Sequence, residues 1–459
     1  MSVRKLSPIK VVNSGLCIGC GSCAAALEGS IEFDTFGQLQ AAGTKEWRRL
    51  PTSDLAEICP FSSSAFNEDE LAAELFPDAT QGRTAGRMRA AYVGYADEGG
   101  TRQRGSSGGM VSWMLEELLR RHLIDGVAHV VPVDPRTGRY FAYRISRTSE
   151  EIREGAKSRY YPVEMSQVLR QIADIPGRYA VVGVPCFIKA IQLLRKHDPV
   201  MRERIAFTLG LFCGHMKSAQ FAESFARQMD VPLDQIEKVD FRIKDESRPA
   251  STYTAQFSTS DGSEHRRDWW NLLEGDWGAG FFQYSACNFC DDVIAETADI
   301  SFGDAWVEPY SSDGRGTNVL VVRSPAVQEL LEKALTEERI CLQEVDEDFI
   351  VQTQAAGFRQ RREGLAYRLT WPKDGLKPCK RVAPKTPESP RRRIIYRTRA
   401  HISKWSHRMY RASSLLKWAG LYCVWARSAT AFYHGFAYSR GKFGRWVDRL
   451  LGEQGTPKA

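Results

Sequence analysis

Residues 17–23 read Cys17-Ile-Gly-Cys20-Gly-Ser-Cys23, and Cys59-Pro60 follows later in the chain. Three thiols at this spacing bind three irons of a [4Fe–4S] cluster, and a distant Cys-Pro supplies the fourth ligand. We therefore predict that Cys17, Cys20, Cys23 and Cys59 hold one cluster. A structural zinc ion is the alternative, but zinc sites more often combine a Cys-x2-Cys pair with His or with a second pair.

The sequence around these cysteines predicts a small α+β module that resembles a ferredoxin. Residues 31–40 alternate around a turn and predict a short β-hairpin. Residues 68–76 have the pattern of a helix. We place the module at residues 1–80.

Composition and charge limit the classes of protein. The chain has 459 residues, is 43% hydrophobic and contains eleven cysteines. Its first residues lack the apolar run of a signal peptide, and no run of 18 apolar uncharged residues occurs, so we expect a cytoplasmic protein with reduced thiols. Residues 377–459 contain 19 Lys and Arg against 3 Asp and Glu, a net charge of +16. The whole chain carries +7, which leaves −9 for residues 1–376.

Strand and helix patterns alternate after the module and predict an α/β core at residues 88–375. Apolar runs at 127–133, 179–184, 205–212 and 300–302 predict strands, and helical spacing marks 111–120, 187–195 and 220–228. The Gly- and Arg-rich residues 84–104 and the Pro-rich residues 384–393 are interpreted as linkers. The basic residues 376–459 are predicted to form a helical tail, in which Lys and Arg alternate with aromatic residues. Such a tail either contacts an anionic membrane surface or docks on the acidic body, and both possibilities stay open.

A second set of cysteines occurs within the core. Cys186 and Cys213 each follow a predicted strand, and Cys287 and Cys290 form a Cys-x2-Cys pair. Ligands and cofactors gather at the ends of strands in α/β sheets, so these thiols can converge on one group. The alternative is that each is a small buried apolar residue. The three remaining cysteines have no partner at ligand spacing; they are Cys341, Cys379 and Cys423.

Several stretches of the core, taken together, are similar to one known family. They are Gly105-Ser-Ser-Gly-Gly109, Ile124-Asp-Gly126, Lys157-Ser-Arg-Tyr160, Val182-Gly-Val-Pro-Cys186, Gly210-Leu-Phe-Cys213, Phe241-Arg-Ile-Lys244, Cys287-x2-Cys290-Asp291 and Ala298-Asp-Ile-Ser-Phe-Gly-Asp304. In this order the chain resembles the family of the coenzyme F420-reducing hydrogenase beta subunit, which includes F420-dependent dehydrogenases and reductases of 7-hydroxymethyl chlorophyll. The resemblance covers about residues 1–370 when the cysteine module is included.

The resemblance implies a flavin and a second cluster in the core. It implies that FAD contacts the Gly105–Gly109 loop, the Lys157–Tyr160 segment and the Gly303–Asp304 pair. The flavin-binding residues would be Gly105, Ser106, Ser107, Gly108, Gly109, Lys157, Ser158, Arg159, Tyr160, Gly303 and Asp304. It also implies that Cys186, Cys213, Cys287 and Cys290 bind a second [4Fe–4S] cluster. From the residues alone, the glycine loop is equally an ordinary loop before a helix, and Lys157 is a surface charge.

The expected function is that of an iron–sulfur flavoprotein oxidoreductase. Two clusters and FAD would connect a one-electron carrier, such as a ferredoxin or a partner subunit, with a two-electron substrate. Coenzyme F420 is one candidate substrate; a polyprenyl-linked sugar, a tetrapyrrole or a protein disulfide are others. The alternatives are a non-enzymatic electron-carrier subunit, a reductase of polysaccharide biosynthesis that does not use F420, and an adaptor with structural metal. Nucleic acid is not expected as a partner. Trp269, Trp270 and Trp277 are expected to fill the core rather than to line the flavin pocket.

Overall fold

The N-terminal module is built from short helices around one hairpin. The computed structural model describes residues 5–373, 375–452 and 455. The module contains α1 (Pro8–Asn13), α2 (Ser22–Ala26), β1 (Ser30–Phe33), β2 (Leu39–Ala42), α3 (Lys45–Arg49), α4 (Ser53–Ile58) and α5 (Glu68–Leu75). Strands β1 and β2 pair antiparallel with Ile31 opposite Ala41, which is the predicted hairpin. A capping box on Asn67 begins α5, where the helical pattern predicted a helix.

The core is a mixed α/β domain. Its elements are β3 (Thr80–Gln81), β4 (Arg87–Met88), β5 (Ala90–Tyr95), α6 (Thr101–Arg104), α7 (Met110–Arg120), β6 (Gly126–Pro132), β7 (Phe141–Ser146), α8 (Ser149–Glu154), α9 (Ser166–Asp174), β8 (Tyr179–Gly183), α10 (Pro185–His197), α11 (Pro199–Arg204), β9 (Ile205–Leu211), α12 (Ala219–Gln228), β10 (Ile236–Ile243), β11 (Thr254–Thr259), β12 (Glu264–Asp268), β13 (Ile300–Asp304), β14 (Asn318–Val322), α13 (Pro325–Thr336), β15 (Cys341–Glu344), α14 (Glu347–Thr353), α15 (Ala355–Arg361) and α16 (Glu363–Leu369). Short 3-10 turns lie at Glu98–Gly100, Pro135–Thr137, Leu233–Gln235, Trp269–Asn271, Trp277–Ala279 and Ser285–Phe289.

Eight strands form one sheet in the order β15-β5-β14-β13-β9-β8-β6-β7. Strands β13, β9, β8 and β6 run parallel to one another in the centre, and the outer pairs are antiparallel. All five residues of β8 are buried, because helices cover both faces of a parallel sheet. Val182 packs with α7 and α13 on one face, while Val181 packs with α9, α10 and the N-terminal module on the other.

The tail forms three helices: α17 (Pro390–Leu415), α18 (Ala419–Tyr438) and α19 (Gly441–Leu451). They pack against α12 and the small antiparallel sheet β10-β11-β12 in one aromatic cluster. In this cluster Phe282 lies 5.7 Å from Tyr422, measured between ring centroids. Helix α17 also contacts the tip of the N-terminal hairpin, where Arg411 donates to the Thr35 hydroxyl at 2.9 Å. The tail is thus docked on the body along α17.

Two segments interpreted as linkers are structured, so those interpretations are wrong. Residues 84–104 contain β5, which lies inside the large sheet between β14 and β15. The sequence of β5, Ala-Ala-Tyr-Val-Gly-Tyr, is short, and its partner strands lie more than 200 residues away. Local composition therefore did not predict this strand. The second linker is shorter than predicted because α17 begins at Pro390. Arg391, in its first turn, is buried and donates to the Phe436 carbonyl at 2.8 Å.

Candidate functional site

The first four cysteines surround one cavity in the N-terminal module. Cys17 and Cys20 lie in the loop between α1 and α2, Cys23 lies in α2, and Cys59 follows α4. All four line a cavity of about 30 Å³ whose other walls are mostly apolar side chains. The backbone N–H of Ala41 donates to the Cys17 Sγ at 3.4 Å. Hydrogen bonds of this kind tune the potential of an iron–sulfur cluster.

The chemistry of these thiols fits a cluster. Burial raises the pKa of the Cys20 thiol to about 11 and the pKa of the Cys59 thiol to about 12. Such thiols stay protonated at neutral pH unless a bound metal supplies positive charge. Within the described ranges, no three or more His, Cys, Asp or Glu side chains are placed to hold a single metal ion. The thiolates of a cubane lie further apart, because each binds a different iron.

The loop that carries these cysteines packs closely against the core. Gly21 has a φ of +92°, and a Cβ at this position would lie 2.6 Å from the Ser166 nitrogen. Only glycine allows both this backbone conformation and this approach. Beside it, the Cys20 carbonyl accepts a hydrogen bond from the Met165 N–H at 3.0 Å. The first set of cysteines is therefore held against the segment that enters α9.

The second set of cysteines is brought together from three segments. Cys186 is the second residue of α10, Cys213 follows β9, and Cys287 and Cys290 lie in and just after a 3-10 turn. Burial raises the pKa of the Cys186 thiol well above its ordinary value, and the neighbouring charges of Cys290, Cys287 and Cys213 add to the rise. The Met216 N–H donates to the Cys287 Sγ at 3.3 Å. The four thiols thus share one buried place at the carboxyl ends of parallel strands, and this donor set also fits a cluster.

Arg361 lies beside this second set and was not identified from the sequence. Its side chain is buried and donates to the carbonyls of Cys287 and Cys213, each at 3.2 Å, and to that of Gly214 at 2.7 Å. Burial alone would lower the pKa of Arg361, but the charges of the neighbouring cysteines more than reverse this, and the pKa rises. The arginine therefore offsets negative charge at the second set. It lies on α15, about 70 residues beyond Cys290, where no spacing signal points to it.

The two sets of cysteines are neighbours across the contact between module and core. Cys20 of the first set is close enough to Cys186 of the second for its charge to raise the pKa of Cys186. The fully buried Tyr284 lies between the sets: its pKa is raised well above the ordinary value, chiefly by burial, with smaller contributions that include the charges of Cys17 and Cys287. Its hydroxyl accepts the Leu39 N–H at 2.6 Å.

The three segments expected to bind flavin converge on Arg242. The guanidinium of Arg242 forms an ion pair with Asp304 at 2.9 Å and donates to the Ser106 carbonyl at 3.1 Å. The Ser158 N–H donates to the Ser106 hydroxyl at 2.9 Å. The carbonyl of Gly303 accepts from Asn318 at 3.0 Å. Residues that are up to about 200 positions apart in the chain therefore meet in one place.

Four cationic side chains gather at this place. Lys157 forms an ion pair with Asp240 at 2.8 Å, so it is more than a solvated charge. Lys244 donates to the Ser107 carbonyl at 2.9 Å. Burial lowers the pKa of Lys244 to about 8, and the charges of Arg102, Arg242 and Lys157 contribute to the shift. A cluster of cations in which the other three lower the pKa of Lys244 fits an anion such as the pyrophosphate of FAD.

The remaining predicted flavin residues lie in the same segments. Gly105, Gly108 and Gly109 belong to the loop before α7. Gly109 has a φ of +79°, and a Cβ at this position would lie 2.5 Å from the Arg102 nitrogen. The Arg159 guanidinium lies 4.9 Å from the centre of the Phe141 ring.

Aromatic rings connect the flavin segments with the second set of cysteines. The Trp277 ring stacks on His215 at 4.2 Å and lies 5.1 Å from the Tyr160 ring, measured between centroids. His215 follows Cys213 by two residues, and Tyr160 closes the Lys157–Tyr160 segment. Trp269 is buried as predicted, whereas Trp270 is 53% exposed and does not fill the core. Trp277 therefore lies between the two candidate cofactor sites.

Comparisons with known proteins give a family. The model of the N-terminal part of the coenzyme F420 hydrogenase/dehydrogenase beta subunit matches residues 91–170, and the model of its C terminus matches residues 177–348. Among solved structures, a chain of the F420-reducing [NiFe] hydrogenase complex from Methanosarcina barkeri, studied by xenon derivatization, is 18% identical with a TM-score of 0.46. The match covers 61% of this chain and 92% of that chain. No curated protein matches the sequence. Because the two family models together cover more than half of the sequence, the chain belongs to the coenzyme F420 hydrogenase/dehydrogenase beta subunit family, a family of oxidoreductases.

Proposed function

We propose that this protein is an iron–sulfur flavoprotein oxidoreductase that connects a one-electron carrier with a two-electron substrate. The observation that carries the proposal is the continuous series of sites in one molecule: the first cysteine set, the adjacent second set, and the cationic cluster beyond Trp277. When bound, two [4Fe–4S] clusters exchange single electrons and FAD collects them in pairs.

The chain's own residues would hold and shield these groups. Cys17, Cys20, Cys23 and Cys59 are the ligands proposed for the first cluster, and Cys186, Cys213, Cys287 and Cys290 are those for the second. The cationic cluster around Arg242 would hold the flavin through its pyrophosphate. Burial of Cys20 and of three ligands of the second set limits access of water, and Arg361 offsets the charge of the second set.

The order of the sites suggests the path of the electrons. The first set lies in the N-terminal module, outside the large sheet, so we assign it as the site where single electrons enter from, or leave to, a ferredoxin or a partner subunit. The second set lies between that module and the flavin segments. Two-electron chemistry with the organic substrate then belongs at the flavin, and coenzyme F420 is the first substrate to test because the family carries its name.

Anaerobic purification with analysis of iron, sulfide, flavin and zinc tests the cofactor assignment. We expect about eight irons per chain and one FAD, from the stoichiometry of two cubanes. The Cys17→Ser variant should retain about half of the iron. The matched control is Cys341→Ser, since Cys341 is exposed and lies outside both sets. Stoichiometric zinc and a colourless protein would overturn the assignment.

Stopped-flow measurement of flavin bleaching tests the order of the sites. Cys17→Ser should slow reduction by a reduced ferredoxin far more than reduction by a two-electron donor such as reduced F420, because only the first reaction needs the first set of cysteines. The comparison requires a variant that is folded and flavin-loaded. Equal loss of both reactions in such a variant would contradict this order.

A further inference from the structure

The outer side of the tail helices exposes an unusual share of the large apolar side chains. Within the described part of the chain, fourteen such side chains are strongly exposed, and nine of them lie between residues 405 and 450. Soluble surfaces normally scatter apolar residues singly. This concentration therefore marks a surface that is covered by something in its working state.

Five of these side chains lie on the outer side of the last two helices, a surface that we name the α18–α19 face. It consists of Val424, Phe432, Phe443, Trp446 and Leu450. In α19, residues 443, 446 and 450 share one side at helical spacing, while the buried Gly444 and Val447 occupy the side that packs on the protein.

Ring contacts join the two helices across this face. The Phe443 ring lies 5.8 Å from Phe432 of α18 and 6.0 Å from Trp446, measured between centroids. Along α18, Val424 and Phe432 are eight residues apart and so lie on the same side of the helix. The apolar stripe is thus continuous from Phe432 of α18 onto α19, and Val424 lies two turns away along α18 with the exposed Ser428 between them.

Positive charge borders this apolar stripe. Arg427, Lys442, Arg445 and Arg449 are all exposed beside it. Within α18 and α19 the acidic residue is Asp448, and its carboxylate pairs with the buried Arg391 at 2.5 Å. The face therefore presents cationic groups together with the side chains of Trp, Phe and Leu. The carboxylate of Asp448 does not offset these positive charges, because it pairs with Arg391.

We propose that the α18–α19 face docks on an anionic phospholipid membrane. Helices that lie in the membrane interface have this composition: aromatic and aliphatic tips that enter the acyl boundary, and Lys and Arg that reach anionic headgroups. In the described residues, none of the helices combines the length and apolar character needed to cross a bilayer. The contact with the membrane is peripheral. Helix α17, whose inner side is buried against the body, connects the α18–α19 face to the rest of the protein.

Vesicle flotation of the full-length, cofactor-loaded protein tests this proposal. We expect the protein to float with vesicles of phosphatidylcholine and phosphatidylglycerol and to stay behind with phosphatidylcholine alone. High salt should release it, because exposed charges are screened. Absence of flotation with the anionic vesicles at low salt would overturn the proposal.

Two pairs of variants separate the apolar and the cationic contributions. The double variant Phe443→Ser with Trp446→Ser should bind anionic vesicles at least about tenfold more weakly. Its matched control is Ile175→Ser, which removes an apolar side chain that is 46% exposed elsewhere. Arg445→Glu should weaken binding by about fivefold or more. Its control is Lys238→Glu on β10, since Lys238 is also exposed.

Other occupants of the face would give different results. A second copy of this chain would produce a dimer in light scattering that the double variant dissociates, without binding to vesicles. A nucleic acid as the occupant would bind the protein in a mobility-shift assay at the same low salt at which the anionic vesicles fail to float it. Either result overturns the membrane proposal, as does flotation that the double variant and Arg445→Glu leave unchanged.

Discussion

Lys244 gives the proposed flavin site a pH dependence that can be measured. Burial and the neighbouring cations lower the pKa of Lys244 to about 8 in the flavin-free protein. An anionic pyrophosphate would favour the charged ammonium and return the pKa toward the ordinary value of a lysine. Above pH 8 the lysine must then take up a proton when FAD binds, so the affinity for FAD falls as pH rises.

The size of this effect follows from the pKa. With a pKa of about 8, roughly nine tenths of Lys244 is charged at pH 7 and about one tenth at pH 9. The affinity of the flavin-free protein for FAD should therefore drop about tenfold between pH 7 and pH 9. Replacing Lys244 by Met removes the charge-assisted hydrogen bond that the lysine would donate to the pyrophosphate, which should weaken FAD binding at pH 7 by about tenfold or more.

Quenching of FAD fluorescence at constant ionic strength measures both effects. Lys244→Met should show weaker binding and a flattened pH profile. Lys238→Met changes an exposed lysine of the preceding strand β10 and should behave like the wild type. Circular dichroism checks that each variant is folded. A wild-type affinity that does not change with pH, or a profile that survives in Lys244→Met, would refute the assignment of Lys244 to the anion site.

Two further predictions concern stability. Glu117 is buried and accepts hydrogen bonds from three arginines, which bring its pKa to about 2 although burial alone would raise it. Glu117→Gln should lower the free energy of unfolding by about 2 kcal/mol at pH 7, and the difference from wild type should shrink as pH falls from 4.5 toward 2. Urea titration measures this difference, with Glu150→Gln at an exposed position as the control. A difference that stays constant with pH would contradict the prediction. Gly21→Ala should reduce stability and the iron content of the first cluster, because a Cβ there meets the Ser166 nitrogen at 2.6 Å. Gly138→Ala has the same left-handed backbone in open space, so equal losses in both alanine variants would show that packing on the core is unimportant.

Local patterns were sufficient for part of the fold and of the candidate site. The hairpin of the module, the strand β8 and the helix α10 depend on contacts between near neighbours or on continuous apolar runs, so periodicity predicts them. The strand β5 was not predicted, because its six residues carry no distinctive strand pattern and its pairing partners are distant in sequence. The composition of the tail predicted that it is basic and helical. Its docking on the body along α17 depends on the aromatic cluster, to which the folded core contributes.

The sequence by itself determined which residues are candidate ligands and which family the chain belongs to: the spacing of Cys17, Cys20 and Cys23 predicts a cluster loop, and the ordered motifs identify the family. Only the tertiary structure decided which residues meet. The packing of the N-terminal module, of α15 and of the three-stranded sheet on the core brings Cys20 beside Cys186, Arg361 beside the second set, and Arg242 between the segments proposed to bind flavin. These contacts join residues that are far apart in the chain, and no local spacing encodes them. The physical cause is the parallel centre of the large sheet, which gathers the carboxyl ends of β8, β9 and β13 at one edge, while burial of apolar surface packs the module, α15 and β10 around that edge.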